Sequence, residues 1–170
     1  MSYYPTTFVT SFLKIYDENE SPISTESRLE YFKTIVETGI PIYIFCSRCY
    51  EEPLREIANS NMILECIELE DTDFFKFMRQ IPCELPISRN PKKDTFEYMT
   101  LMNCKTEFVE KVIHKNPWNS RNYAWLDFNF FHIFKSDIKK EYEMAFKSLV
   151  YMQTREFSEQ DFICIPGCWN

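Results

Sequence analysis

A chain of 170 residues that is 45% hydrophobic and 26% charged, with 16 Phe and 10 Tyr against 2 Gly, has the length and apolar content of one folded domain, which excludes a low-complexity or disordered polypeptide. Its 26 acidic residues outweigh 19 basic ones, a net charge of −7, and no Lys/Arg block offers a phosphate backbone a continuous track, so duplex nucleic acid is not expected as a partner. Gly39 and Gly167 stand alone, which excludes both the GxGxxG turn of a dinucleotide site and the P-loop.

In chain order, Thr6 to Leu13 is β-branched and aromatic and predicts a first strand ending near Phe12, followed by the polar loop Asp17 to Pro22. Ser24 or Thr25 then caps a helix whose apolar face is Leu29, Phe32, Ile35 and Val36, with Gly39 as its C-terminal stop. Pro41 to Cys46 predicts a buried strand, Pro53 to Asn59 a short helix, and Met62 to Leu69 a third strand. Asp71 or Thr72 caps a short helix through Phe74, Phe77 and Met78, and the proline-rich Ile81 to Lys93 reads as a loop. From about Thr95 one long helix is expected, with Met99, Met102, Thr106, Val109, Val112 and Ile113 on a shared face and Asn116-Pro117 ending it. Tyr123 to Phe128 predicts a strand, Lys139 to Met152 a helix, and Phe162 to Ile165 a last short strand. This alternation predicts an α/β layer fold with a mainly parallel sheet flanked by helices, in one domain over residues 1–170.

No basic leader precedes a cleavable apolar segment, and no uninterrupted apolar run reaches the roughly 18 residues of a membrane span, so a soluble, cytoplasmic chain is expected. Seven cysteines, an odd number, with Cys46, Cys66 and Cys164 set among apolar residues, favour free thiols in a reducing compartment.

Asp127 is the residue that most invites chemistry, because it stands where an apolar strand runs out. Ligands of open α/β sheets lie outside the carboxyl ends of the strands. A charged residue at such an end also commonly caps a turn or pairs with a lysine. Lys105, on the helix leading to that strand, reads either as a phosphate partner or as a solvated helix lysine, and Arg28 and the strand-end hydroxyls of Thr10 and Ser11 have similar double readings.

Thr6-Phe-Val-Thr-Ser-Phe, Arg28-Leu-Glu-Tyr-Phe, Pro41-Ile-Tyr-Ile-Phe-Cys-Ser, Met102-Asn-Cys-Lys105 with Phe108, Asn116-Pro-Trp-Asn and above all Ala124-Trp-Leu-Asp-Phe128 resemble the HtrL/YibB (WlaTC/HtrL) family of bacteria and large DNA viruses. The likeness is collinear from about residue 6 to residue 169. It implies a glycosyltransferase with a glycosyltransferase-A-like, Rossmann-like domain that binds a nucleotide-diphosphate sugar and serves a glycan or protein acceptor. By the same resemblance Asp127 belongs to a degenerate Asp-x-Asp position and holds manganese or magnesium against the diphosphate, with Asn129 in place of the second carboxylate and His132 as a further ligand. Thr10, Ser11, Arg28 and Lys105 would line the nucleotide site. A hard cation on oxygen ligands would neutralise the charge that a diphosphate leaving group develops. No catalytic base is evident. The family's sequence continues past the point matching Asn170, so the chain reads as the nucleotide-sugar half, placed by a viral origin in host cytoplasm or virion.

Two other readings compete. One is a non-catalytic structural or interaction protein of the same fold. The other is a dithiol oxidoreductase built on Cys46-Ser-Arg-Cys49, which follows a strand and precedes a helix as redox-active pairs do, although Cys46 and Cys49 as ordinary buried, reduced thiols fit the apolar strand better. His114 reads as a charge complement at a helix end, and no order of Ser, His and Asp suggests a triad.

Overall fold

The computed structural model describes residues 5–16, 23–82, 84–91 and 94–133 and the single positions 141, 144 and 146; most of the expected helix at Lys139 to Met152, the strand at Phe162 to Ile165 and the loop at Asp17 to Pro22 lie outside them. Four strands, β1 (Thr6–Phe12), β2 (Ile42–Cys46), β3 (Met62–Cys66) and β4 (Asn122–Trp125), form one sheet in the order β3-β2-β1-β4. All three pairings are parallel, with Phe8 opposite Ile42, Ile42 opposite Met62 and Val9 opposite Trp125. Among the described residues five helices connect them: α1 (Thr25–Val36), α2 (Glu51–Ile57), α3 (Asp73–Met78), α4 (Phe96–Asn103) and α5 (Lys105–Lys115).

Strand alternation divides the core into two layers. Ile42, Ile44 and Cys46 pack with Phe32, Ile35 and Val36 of α1 and Leu54 of α2. Tyr43 and Phe45 turn the other way, toward Phe75 of α3 and Phe108 and Val112 of α5. The central β2, buried at every position, is accordingly an unbroken apolar run, as the strand of a sheet covered on both faces should be. The chain steps outward from β1 to β2 to β3, then crosses the opposite face through α3, α4 and α5 to reach the other side of β1. The direction of winding therefore reverses between β1 and β4.

Local chemistry explains most element ends. Ser24 Oγ accepts from the Ser27 N–H at the start of α1, and Thr72 Oγ1 caps α3 by accepting from the Phe75 N–H. Gly39 ends the α1 turn at φ +75°, where a side chain would be strained although the space around it is open. The amides of Asn59 and Asn61, in the turn before β3, close the α1 turn by donating to the Val36 and Gly39 carbonyls at 2.7 and 2.8 Å. Asn116, in the left-handed region at φ 36°, terminates α5, and its Oδ1 accepts from the Ser120 N–H at 2.8 Å. The Asn116-Pro-Trp-Asn block is thus a structural turn that aims β4 at β1.

Several boundaries differ from the sequence expectation. α2 begins at Glu51 because Pro53 sits in its first turn, where a missing N–H costs nothing. β3 stops at Cys66 because Glu68 turns inward, its carboxylate accepting from Ser47 Oγ–H and, at 2.9 Å, from the Arg48 N–H. The single long helix is two, α4 and α5, joined at Cys104, whose thiol is fully buried beside Thr72. The buried row is Thr100, Cys104, Phe108 and Val112, while Met99, Met102, Thr106 and Ile113 are exposed. β4 ends at Trp125, two residues before Asp127, with Leu126 N–H donating to the Val9 carbonyl at 2.9 Å. Cys46 is buried and reduced as expected, but Cys49 is exposed, in no disulfide, because it falls on the short 3-10 turn Arg48–Tyr50 rather than continuing the strand.

Candidate functional site at the carboxyl edge of the sheet

The winding reverses between β1 and β4, the place outside whose strand carboxyl ends open α/β sheets hold their ligands, and Asp127 lies there. Leu126 and Phe128 on either side of it are buried, at 8% and 5% exposure, which turns the Asp127 side chain outward to 64%. Phe128 stacks between Phe12 and Phe32 at centroid distances of 4.1 and 4.2 Å, so the backbone that carries the carboxylate is anchored by aromatic packing.

Asp127 Oδ1 accepts two hydrogen bonds, from Lys105 Nζ at 2.7 Å and from Trp125 Nε1 at 2.8 Å. The Lys105 ammonium also stands 5.5 Å from the Trp125 ring centroid, and Trp125 stacks at 6.2 Å on Phe108, one turn along α5 from Lys105. One helix therefore supplies both the cation that pairs with the carboxylate and the ring that backs the indole donating to it. Partial burial pushes the Asp127 pKa up, but the Lys105 and Trp125 hydrogen bonds and the Lys105 charge outweigh it and hold the group below its ordinary value. Asp127 is thus an ionised acceptor at neutral pH. Its second oxygen, Oδ2, accepts nothing among the described residues.

A cavity of about 230 Å³ opens nearby, where β1 runs into the start of α1; Leu13, Tyr16, Ser24, Arg28 and Tyr50 are among its lining residues. It is tied to Asp127 through stacked rings, Tyr50 on Phe12 at 4.1 Å and Phe12 on Phe128. The Arg28 guanidinium lies 6.0 Å from the Phe12 centroid. Its lining mixes aromatic, hydroxyl and guanidinium groups with the Glu26 carboxylate.

The structure brings Lys105 and Asp127 into contact and puts Arg28 on the neighbouring cavity. Thr10 is fully buried, and Ser11, half-buried, lies on the α5 side of β1 with Val9 and Thr7. Asn129 is half-buried in the turn after Asp127, whose carbonyl accepts from the Phe130 N–H at 3.0 Å. His132 falls on the 3-10 turn Phe130–Ile133, and its side chain is outside the described ones. Sequence reasoning missed Trp125 as a partner of Asp127; the signal was its position two residues before the acid, on the same side of the chain.

Among the described residues no three His, Cys, Asp or Glu side chains gather as a preformed metal cage. The donor set fits a different arrangement, in which one exposed carboxylate with an open oxygen shares a magnesium- or manganese-type cation with water and substrate phosphates. Asp127 would be the holding residue; Asn129 does not join it, because its Oδ1 is buried. No helix among the described residues is long and apolar enough to cross a membrane.

Fold and site together define the chain's class: a doubly wound, all-parallel α/β domain of Rossmann-like build whose charged groups meet at the switch point. Within that class it belongs to the HtrL_YibB family, described as a bacterial protein of unknown function, which it matches over residues 6–151. Neither the curated proteins nor the solved structures contain a match to it.

Proposed function

We propose that this domain binds the diphosphate of a nucleotide sugar at the β1/β4 switch point and serves as the donor-binding part of a glycosyltransferase. The observation that carries the reading is Asp127, an exposed, ionised carboxylate fixed by Lys105 at the carboxyl end of β4. A pair this exposed contributes only about 0–1 kcal/mol to folding, so stability does not explain why a lysine, a tryptophan and a stacked phenylalanine converge on it. A diphosphate does: Lys105 offers a mobile point charge to phosphate oxygens, and Asp127 offers an oxygen ligand to the cation that accompanies them. The cavity at Arg28, Tyr16 and Tyr50 is where the nucleoside would lie, one strand away. A bound divalent cation would supply charge neutralisation to the leaving diphosphate. The chain's own residues orient it: Lys105 holds phosphate, Trp125 fixes the carboxylate rotamer, and the Tyr50-Phe12-Phe128 stack keeps the two subsites in register.

Calorimetry with uridine, guanosine, cytidine and adenosine diphosphates, with and without manganese, tests this. At least one should bind in a manganese-dependent manner, and Asp127→Asn should weaken it by about 100-fold or more while the thermal midpoint moves by no more than about 2 °C. A wild type that binds none of the four, or an Asp127→Asn protein that unfolds, assigns Asp127 to structure and removes the transferase reading.

A further inference from the structure

Cys46 is the last residue of β2 and Cys66 the last of β3, and the parallel register makes them direct Cα partners. Adjacent strands lie about 4.8 Å apart, inside the roughly 4.4–6.8 Å that a disulfide spans between Cα atoms. The register puts both side chains on one face of the sheet, beside the Glu51 carboxylate that also holds Arg55. Cys46 is wholly buried and Cys66 reaches solvent, while Cys49 is carried away on the turn after β2. One thiol is therefore accessible and a second waits directly behind it.

We propose that Cys46 and Cys66 form a dithiol that closes to a disulfide on oxidation by a hydroperoxide, a modification site built by strand register and not by the Cys46-Ser-Arg-Cys49 spacing. The inference is independent of nucleotide binding. Cys66 reacts first because the oxidant can reach it. Its thiolate attacks one peroxide oxygen, an S–O bond forms, the O–O bond breaks, and the departing oxyanion takes up the thiol proton, leaving a sulfenic acid. The Cys46 sulfur then attacks the Cys66 sulfur; the S–S bond forms, the S–O bond breaks, and hydroxide leaves with the Cys46 proton as water. Two electrons pass from the sulfur pair to the peroxide, and with hydrogen peroxide the products are one disulfide and two waters. Burial pushes the Cys46 thiol up to about 12, and burial and Glu51 raise that of Cys66, so both thiols rest protonated at neutral pH and react slowly with the peroxide.

Trypsin cuts after Arg48 and after Arg55 and so separates Cys46, Cys49 and Cys66 into three peptides. The full chain is incubated with hydrogen peroxide at pH 8, alkylated, digested without reductant and mapped by mass spectrometry. The expected product joins the Cys46 and Cys66 peptides, reverts with dithiothreitol, persists in Cys49→Ser, disappears in Cys66→Ser, and raises the thermal midpoint by several degrees. Cys46 linked to Cys49 or to any other cysteine, Cys66 carried to sulfinic acid with Cys46 still alkylatable after unfolding, or both thiols left intact would each overturn the assignment.

Discussion

Helix α5 builds the same three-part contact at each of its ends, and the two copies differ in one respect. At its start Lys105 pairs with Asp127 and lies 5.5 Å from the Trp125 ring; at its end Lys115 pairs with Glu65 and lies 5.5 Å from the Tyr43 ring. In both, the aromatic group also donates to the carboxylate. Glu65, however, projects from within β3, its side chain 32% exposed, and Lys115 also donates to the Tyr43 hydroxyl, which ties all three groups together. Asp127 lies past the end of its strand and is twice as exposed. One combination of residues thus closes on itself as a clamp between helix and sheet edge, and the other opens to solvent at the switch point. Residue type does not separate clamp from candidate site; position relative to the strand end does.

The largest effect that tests the contrast concerns the support beneath Asp127. Phe128→Ala removes the ring held between Phe12 and Phe32 and should cost about 3–5 kcal/mol in urea unfolding, against under about 0.5 kcal/mol for Asp127→Asn one residue away. Comparable costs for the two would mean that the carboxylate is as structural as its neighbour.

A smaller effect separates the two lysine contacts. A double-mutant cycle between Lys115 and Glu65, using Lys115→Met and Glu65→Gln, should give a coupling of about 1 kcal/mol, because the pair is half-shielded and shares the Tyr43 hydroxyl. The matching cycle between Lys105 and Asp127 should give about 0–0.5 kcal/mol. Equal couplings would erase the distinction.

What the sequence made legible follows from range. β1, the Ser24 cap, the Gly39 stop, the parallel alternation and Asp127 at a strand end are all written in neighbouring residues, and the structure reproduces those elements and places Asp127 there. The pairing of Cys46 with Cys66, the grip of Glu68 on Ser47 and Arg48, and the meeting of Lys115 with Glu65 depend on register between segments 20 or more residues apart, which local pattern does not encode. The exposure of Met99, Met102 and Ile113 was misread for a related reason. Apolar spacing on α4 and α5 admits two faces, and the core took the row with Thr100 and Cys104 because α3 presents Thr72 there. Lys105 could be suspected from its helix, but its contact with Asp127 required knowing that α5 packs across β1 and β4.

The most delicate difference lies in titration. Asp127 ionises below its ordinary value because the Lys105 and Trp125 donors outweigh the cost of partial burial, and Lys105→Met keeps the stem over Trp125 while removing the charge. Its carboxyl pKa, followed by carbon-detected NMR, should move upward in that variant and stop short of release, since the indole N–H still donates. The sign carries into stability. A carboxyl whose folded value is depressed contributes stability present above the unfolded value of about 3.9 and lost as pH falls through the folded one. Wild type and Lys105→Met should therefore differ most at neutral pH, by no more than about 0.5 kcal/mol, and converge in acid as Asp127 protonates. The Glu65 clamp has the same sign at low pH and a second limb at high pH. Lys115 is raised despite its burial by Glu65 and Tyr43, so its contribution holds below about 10.4 and fades as pH rises through the folded value. An Asp127 resonance that titrates identically with and without Lys105 would show that the lysine does not hold the carboxylate in solution, and the open copy of the contact would then be a free acid awaiting its ligand alone.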